Sequence, residues 1–392
     1  MYTGPHIIKD GLVFGYDTGY GIADNSTATR FYPGEPTTNE VPLSTFINTS
    51  NWTGAGWSGA IAVSADYDNT LELTSTNGWR TFRVDTGVTS GGTVTVSYEY
   101  RMKTLATANV FMLNLNGDHL GSYVNSLGSI SASDTQDLSN WKTFTGTFTA
   151  NSNSNLAIGL RGSDNAGLTD TIYVRNLQVE LNGHVTPYTT TSRSSTASLI
   201  DLKETASIDV SNVSFDSTGQ PDFDGTNDKG VVTNFPHIWD SSLSVESVVS
   251  WDDDTRSVIF GNYDQGTGGH DINFEKNPGG VLRFYWDRGS RDVYTTGNPV
   301  VTTSGAYHHV VFIRDAAANN FKFYVDGELV TTVSNAGSGI SSTGSTFRFG
   351  ADTRNGATVH NGSIPVIKAY NKALTATEIK QNFNAYKNRF SI

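Results

Sequence analysis

The alternation of apolar and polar residues over short stretches constrains the fold of this chain more than any other feature. In the stretch 93–100, Val94, Val96, Tyr98 and Tyr100 share one parity, and threonine, serine and glutamate occupy the positions between them. Because successive side chains of a β-strand point to opposite faces, this pattern predicts a strand with one buried face. Similar stretches recur in both halves of the chain, separated by Gly, Asn and Ser clusters that are typical of turns. The sequence therefore predicts an all-β fold of two antiparallel β-sandwich (jelly-roll) domains.

Two local signals refine this prediction. Between residues 172 and 181 the apolar positions change parity at Arg175 and Asn176, as they would at a β-bulge. Asp326 and Gly327 lie between two strand-like stretches, and an Asp-Gly pair in that context predicts a tight hairpin.

One short helix is predicted at the C-terminus. Thr375 and Glu378 have the spacing of a capping box, in which each side chain bonds the backbone N–H of the other residue. Ile379, Phe383 and Tyr386 then fall on one helical face.

The charge and the absence of cysteine exclude several classes of function. The chain has 26 Lys and Arg against 38 Asp and Glu, a formal net charge of −12, and its basic residues are scattered. Nucleic acid and anionic membrane surfaces are therefore not expected partners. Without cysteine there can be no disulfide, thiolate metal site or cysteine nucleophile. The N-terminus predicts no signal peptide and no stretch has the length of a membrane span.

Four motifs in the second half resemble those of laminin-G-like, concanavalin A-type sandwiches. They occur in the same order as in that family: 223–228 (FDGTND), 307–310 (YHHV), 323–328 (FYVDGE) and 369–374 (AYNKAL). The resemblance implies a concanavalin A-like fold for this part of the chain.

Other stretches resemble structural proteins of tailed phages. These are 378–385 (EIKQNFNA), the opening Gly4-Pro5 with 10–13 (DGLV), and 34–39 (GEPTTN). The last is similar to a junction that precedes a carbohydrate-binding-module-like jelly roll, and residues 39–188 are similar to that module in outline. The resemblance implies a virion protein, assembled in the host cytoplasm and carried on the extracellular particle.

The same resemblance implies that one domain is inserted into the other. In laminin-G-like phage proteins the Gly-Leu-Val strand begins the C-terminal sandwich and leads to an Asp-Leu turn, for which Asp201-Leu202 is the candidate. We therefore predict a discontinuous laminin-G-like domain of residues 1–36 and 195–392, with a jelly roll of residues 37–192 inserted. Leu12–Tyr16 should then pair with strands that follow Ser198.

One stretch resembles the catalytic strand of concanavalin A-type glycoside hydrolases. Asp271, Asn273 and Glu275 would share one face of a strand, and retaining hydrolysis needs two carboxyl groups about 5–5.5 Å apart. The hydrolase pattern has Glu, Asp and Glu at these positions. Asp271 and Glu275 are thus a weak catalytic pair, the alternative is a solvated strand face, and we do not expect an enzyme.

Sugar binding instead requires aromatic rings beside polar groups. The candidates are aromatic, histidine and arginine residues near Gly-rich or Asn-rich segments, and core packing is the alternative role for each tryptophan: Trp52, Trp57, Trp79, His119, Tyr123, Tyr263, Trp286 and Arg354.

No cofactor or metal is expected from the remaining motifs. His308 and His309 are adjacent, so they would face opposite sides of a strand and could not chelate one metal together. The acidic triplet 252–254 offers oxygens to Ca²⁺, but without further spaced ligands a solvated turn is the favoured interpretation.

Three functions remain open. The first is a virion structural protein that displays its sandwiches for attachment to host-surface glycans, as an adhesin or fibre, or as capsid decoration. The second is an assembly or cement protein of capsid or tail that binds other virion proteins and no glycan. The third, least favoured, is a glycan depolymerase. A homo-oligomer is compatible with each of them.

Overall fold

The structure is a computed structural model that describes residues 6–18, 22–23, 29–30, 34–89, 92–104, 112–116, 125–129, 137–149, 155–161, 169–262, 271–288, 291–340, 344–352 and 358–392. In chain order its first strands are β1 (Leu12–Asp17), β2 (Ile22–Ala23), β3 (Thr29–Arg30), β4 (Thr37–Thr38), β5 (Trp52–Val63), β6 (Thr70–Thr89), β7 (Thr93–Met102), β8 (Met112–Asn116), β9 (Asn125–Ser129), β10 (Lys142–Thr149), β11 (Asn155–Arg161), β12 (Thr169–Glu180) and β13 (Ser192–Arg193).

The second half contributes fifteen further strands to the described part of the chain. They are β14 (Ser207–Asp209), β15 (Ser214–Phe215), β16 (Pro221–Asp224), β17 (Gly230–Thr233), β18 (Leu243–Ser250), β19 (Ser257–Gly261), β20 (Ile272–Asn277), β21 (Val281–Asp287), β22 (Arg291–Thr295), β23 (Tyr307–Asp315), β24 (Asn320–Val325), β25 (Glu328–Ser334), β26 (Phe347–Phe349), β27 (Asn361–Ser363) and β28 (Val366–Tyr370). The described residues also include two α-helices, α1 (Leu43–Phe46) and α2 (Ala376–Phe390). Every strand pair is antiparallel, which confirms the predicted all-β class.

The chain divides into two compact units. The discontinuous unit comprises Met1–Glu35 and Ser194–Ile392, and the inserted unit comprises Pro36–Arg193. Within the discontinuous unit β1 pairs with β28, with Asp17 opposite Val366. The predicted pairing of the first strand with strands after Ser198 is therefore confirmed.

The Asp-Leu turn also lies where the insertion hypothesis requires it. The carboxylate of Asp201 accepts a hydrogen bond from the backbone N–H of Gly15 at 3.1 Å, and the N–H of Leu202 donates to the carbonyl of Gly15 at 2.8 Å. These hydrogen bonds join the segment that precedes the inserted unit in sequence to the segment that follows it.

Two large sheets form the sandwich of the discontinuous unit. The six-stranded sheet has the order β1-β28-β18-β23-β24-β25, and the seven-stranded sheet has the order β14-β17-β26-β19-β20-β21-β22. A single apolar core lies between them, in which the ring of Phe284 on β21 stacks on Phe312 of β23 with centroids 3.5 Å apart. Burial of these large aromatic surfaces drives the two sheets together.

Helix α2 carries residues that pack against the outer face of the six-stranded sheet. Thr375 and Glu378 form the predicted capping box, with the Thr375 N–H donating to the Glu378 carboxylate at 2.8 Å. Tyr386 and Phe390 pack with Val248 and Val366 of the sheet. The predicted helix is confirmed, and the single turn of α1 is an addition that the sequence analysis did not foresee.

In the inserted unit eight of the described strands form one sheet around the long strand β6. The order is β10-β7-β12-β6-β11-β8-β9, and β5 pairs with β6 along its other edge. The register of β12 against β7 shifts between Arg175 and Gln178, and Asn176 has a φ of 54°, so the predicted bulge is confirmed. The shift lets Val174 and Leu177 both reach the core despite their different parity.

The two ends of the inserted unit are tied together. β4 pairs with β13, so Thr37 lies opposite Arg193. Asn39 is buried beside this ribbon, and its amide donates to the carbonyls of Leu177 at 2.9 Å and Thr189 at 3.1 Å. These contacts close the unit where the chain enters and leaves it.

The predicted hairpin at Asp326 and Gly327 is confirmed. Both residues have positive φ, 52° and 79°, which is the geometry of the two-residue turn that joins β24 to β25. Asp326 also accepts a hydrogen bond from Nδ1 of His308 at 2.9 Å. His309, on the opposite face of β23, is fully buried with Nε2 3.3 Å from Glu246, so the two histidines do diverge.

Candidate functional site

Two of the predicted sugar-binding tryptophans are core residues, which corrects the prediction for them. Trp52 is buried, and its indole N–H donates to the carbonyl of Phe46 at 2.8 Å. Trp286 has no exposed surface and packs edge-on against Phe321, with centroids 5.6 Å apart. Both lie on strands whose apolar face meets a core, so neither ring offers a face to a ligand.

The other predicted sugar-binding residues fall outside the description. The backbones of Trp57 and Trp79 lie in β5 and β6, but their side chains are not among those described. Likewise His119, Tyr123, Tyr263 and Arg354 lie outside the described residues. These six assignments stay predictions.

Glu275, half of the weak catalytic pair, is held by donors of the protein itself. The carboxylate is buried and accepts hydrogen bonds from Arg256 at 2.8 and 3.0 Å, from Arg283, and from the Asn273 amide at 3.1 Å. Burial raises the pKa of Glu275, and the two guanidinium groups oppose that rise. Asp271 is buried as well. The alternative interpretation, a solvated strand face, is therefore wrong, because both side chains are buried and Glu275 belongs to a buried polar network.

The acidic triplet has structural partners too. Asp253 accepts from the N–H of Thr255 at 2.8 Å, and Asp254 accepts from the N–H of Gly279 at 2.7 Å. Among the described residues no group of three or more His, Cys, Asp or Glu is arranged to hold a metal ion.

A cluster of aromatic and charged side chains that the sequence analysis missed lies on the inserted unit. The ring centroid of Tyr67 is 5.5 Å from that of Trp141 and 5.1 Å from that of Tyr173, both in edge-on orientation. Tyr173 is buried, whereas Tyr67 and Trp141 are half-exposed. We call these three rings, together with Arg101, Lys103 and Arg175, the aromatic face.

Strand register explains how the aromatic face is assembled. On β12, Ile172 and Val174 point into the core, so Tyr173 and Arg175 point to the other side. Tyr173 lies directly across from Arg101 on β7, and Arg175 lies across from Glu99. Neighbouring strands thus place alternating aromatic and charged residues side by side on the face opposite the core.

Each cation of the aromatic face contacts a ring. The guanidinium of Arg175 lies 3.9 Å from the centroid of Trp141, and the ammonium of Lys103 lies 5.2 Å from that of Tyr173. Arg101 lies between two rings, 5.0 Å from the centroid of Tyr67 and 5.8 Å from that of Tyr173. Such cation–π contacts hold long side chains in defined positions.

Carboxylates fix two of these three cations. Glu99 accepts a hydrogen bond from Nε of Arg175 at 2.6 Å. Lys103 lies between Glu72, at 2.9 Å, and Asp66, at 3.1 Å. The surface is therefore an ordered array of rings, donors and acceptors.

The ionisation of this array follows from its hydrogen bonds. The Tyr173 hydroxyl donates to Asp66, and this bond is the largest cause of the lowered pKa of Asp66, followed by the bond from Lys103. The hydrogen bond to Glu72 is the largest cause of the raised pKa of Lys103. Both groups therefore remain charged at neutral pH.

A sequence signal for this surface did exist. Tyr173 is an aromatic residue at a polar-face position of a clear strand, and Arg101 occupies the corresponding position of β7. Trp141 stands just before β10, outside the alternating pattern. Sequence alone does not show that these residues are neighbours, because that depends on the strand order.

Comparison with known proteins identifies part of the discontinuous unit. Residues 224–380 match the family model described as the concanavalin A-like lectin/glucanases superfamily. The resemblance inferred from the four motifs is thereby confirmed for this stretch. Within the curated proteins no match was found.

Solved structures of low similarity were also found. The binding domain of botulinum neurotoxin serotype D has 14% identity and a TM-score of 0.38, with 49% of this chain and 49% of that chain covered. The CBM40 of the Ruminococcus gnavus IT-sialidase, bound to α2,3-sialyllactose, has 16% identity and a TM-score of 0.32, with coverages of 36% and 80%. NanB sialidase from Streptococcus pneumoniae has 17% identity and a TM-score of 0.33, with coverages of 41% and 26%. The chain thus spans about half of the toxin domain.

Proposed function

We propose that this chain binds glycans through the aromatic face of its inserted unit and acts as a display protein of a virion. The observation that carries the proposal is the edge-on cluster of Tyr67, Trp141 and Tyr173, flanked by paired charged groups. Sugar rings stack their apolar C–H faces on aromatic rings while their hydroxyls exchange hydrogen bonds with polar neighbours. The aromatic face supplies both kinds of group.

The long side chains of the aromatic face are already held in place, which supports a role in glycan binding. Binding costs free energy when flexible side chains must be fixed, about 0.5–1.5 kcal/mol for each long one. Arg175 is already held by Glu99 and Trp141, and Lys103 by Glu72 and Asp66. A ligand would meet donors and acceptors that are in position before it arrives.

The virion assignment rests on the resemblance of the opening, junction and C-terminal motifs to tailed-phage structural proteins. An acidic chain without cysteine is compatible with such a particle, since acidic net charge favours solubility. We expect the protein to be assembled in a host cytoplasm and to contact other virion proteins.

Glycan-array binding of the purified protein, with Trp141→Ala alongside, tests the proposal. We expect binding to a defined set of glycans and a loss of more than about tenfold in affinity for Trp141→Ala, as for truncation of a central aromatic anchor. Tyr188→Ala is the matched control, because Tyr188 is a half-buried aromatic residue of the same unit outside the aromatic face. Equal loss in both variants, or no binding by the wild type, would contradict the proposal and favour the assembly role.

We propose in addition that Asp271 and Glu275 do not hydrolyse glycans. The hydrogen bonds from Arg256, Arg283 and Asn273 occupy both oxygens of Glu275, which removes its freedom to act as an acid or nucleophile. The purified protein should therefore release no reducing ends from glycans that it binds. Release that disappears in Glu275→Gln would refute this.

A further inference from the structure

One cation of the aromatic face, Arg101, has no carboxylate partner among the described residues. Arg175 and Lys103 each pair with carboxylates. Within the described residues, by contrast, Arg101 forms neither an ion pair nor a hydrogen bond, and its Nε is buried without an acceptor. Two tyrosine rings hold this guanidinium in place without neutralising it.

An unpaired buried donor of this kind is unfavourable in the free protein. Leaving a buried N–H without an acceptor costs about 1–3 kcal/mol, and the cost is higher for charged groups. Asp66 is near enough to interact electrostatically with Arg101, but within the described residues its carboxylate contacts the Tyr173 hydroxyl and Lys103 and makes no hydrogen bond to the guanidinium. The strand pairing that places Arg101 opposite Tyr173 keeps the guanidinium at this position.

We infer that Arg101 binds a carboxylate of the ligand, so that the aromatic face is specific for glycans that contain an acidic sugar. This inference rests on the proposed glycan-binding function. The planar guanidinium offers two parallel N–H donors that match the two oxygens of a carboxylate, whereas a hydroxyl accepts through a single oxygen. The rings of Tyr67 and Tyr173 lie 5.0 and 5.8 Å from the Arg101 guanidinium and hold it in position before a ligand binds.

Neighbouring groups favour a single carboxylate at this point. The other two cations are already compensated, and Glu72, Asp66 and Glu99 would repel an anion placed elsewhere on the surface. The acidic group of the ligand should therefore lie over Arg101, with an adjoining sugar ring against Tyr67 or Trp141.

The test compares acidic oligosaccharides with their carboxyl-reduced forms. Oligogalacturonate and oligosialic acid, each with its reduced counterpart, would be titrated against the full chain and against Arg101→Gln, Arg101→Lys and Lys142→Gln. For an acidic ligand that binds, we expect carboxyl reduction to weaken wild-type binding by about 10- to 100-fold. Arg101→Gln should lose that discrimination, and Arg101→Lys should retain part of it.

Lys142→Gln is the matched control, because Lys142 follows Trp141 directly in sequence and pairs with Asp137 at 3.7 Å. It should leave the discrimination unchanged. If neutral and acidic forms bind equally, and Trp141→Ala still abolishes binding, then the inference is wrong while the proposed function stands. If neither these probes nor the array glycans bind at all, then both are wrong.

Discussion

Phe14 gives the sharpest test of the inserted architecture. It lies only a few residues from the N-terminus, yet its ring is fully buried in the core of the discontinuous unit, 5.1 Å from the centroid of Phe235 and 6.2 Å from that of Phe260. Phe14→Ala should therefore destabilise the unit formed mainly by the C-terminal half. It should leave the inserted unit, which follows it directly in sequence, unchanged.

The expected loss in the free energy of unfolding follows from the burial of Phe14 and from its position on an edge strand. Replacing a buried phenylalanine with alanine costs about 3–5 kcal/mol, and the lower end is expected here because β1 is an edge strand that can move into the cavity. For a domain of roughly 150–250 residues each kcal/mol lowers Tm by about 2–4 °C, so a fall of about 6–12 °C is expected. Calorimetry would record the two unfolding transitions, and hydrogen exchange would assign each one to its unit.

Phe46→Ala is the reciprocal control, since Phe46 is equally buried but belongs to the core of the inserted unit. Phe46→Ala should lower the Tm of the inserted unit by a similar amount. The reasoning would be refuted if Phe14→Ala moved the transition of the inserted unit, or if it cost less than about 1 kcal/mol.

Three further predictions concern the discontinuous unit. His360 is fully buried, and desolvation lowers its pKa to about 3. The unfolded chain binds a proton at this residue from about pH 6.5 downward, whereas the folded chain does not. The free energy of unfolding should therefore fall by up to roughly 1.4 kcal/mol per pH unit as the pH drops from 6.5 towards 3. Urea unfolding of His360→Gln should show a shallower slope in that window, and parallel slopes would sink the idea. Arg256→Met should cost about 1–3 kcal/mol by leaving Glu275 short of a donor; a double-mutant cycle with Glu275→Gln should recover part of the loss, and strict additivity would count against the coupling. Gly327→Ala should cost more than about 1 kcal/mol, because φ is 79° and a Cβ atom would lie 3.1 Å from that of Phe383; an unchanged denaturation midpoint would contradict this.

The inserted arrangement affects how this unit could be exchanged. The inserted unit is joined to the rest of the chain at both ends, and the pairing of β4 with β13 brings its two ends together. A unit held at two adjacent points can be exchanged or deleted without interrupting the strands of its host. If the proposed function holds, glycan specificity could change through this unit while the discontinuous unit remains the same.

The local features were readable because each depends on a few consecutive residues. The parity change at Arg175 and Asn176, the Asp-Gly pair at 326 and the capping residues Thr375 and Glu378 act through backbone dihedrals and nearest-neighbour hydrogen bonds. The order-preserving motifs added the concanavalin A-like class and the pairing of β1 with a C-terminal strand.

The aromatic face could be recognised only from the tertiary structure. Tyr67, Trp141 and Tyr173 come from separate stretches and meet only because β10, β7, β12 and β6 are neighbours in one sheet. The burial of Trp52 was likewise decided only by the tertiary structure, whereas the apolar strand around Trp286 already favoured a core position.

What the sequence by itself determined was therefore the strand content, the turns and the cap, since these follow from periodicity and short-range geometry. The inserted arrangement was instead what the resemblance of the motifs to a known family implied. What only the tertiary structure decided was which charges are paired and which rings are exposed. Glu275 pairs with Arg256, which precedes β19, and with Arg283 of β21, whereas Arg101 is held by two rings and has no carboxylate partner among the described residues. Burial and pairing depend on distances between residues that are remote in the chain, and alternation within a strand carries no information about those distances.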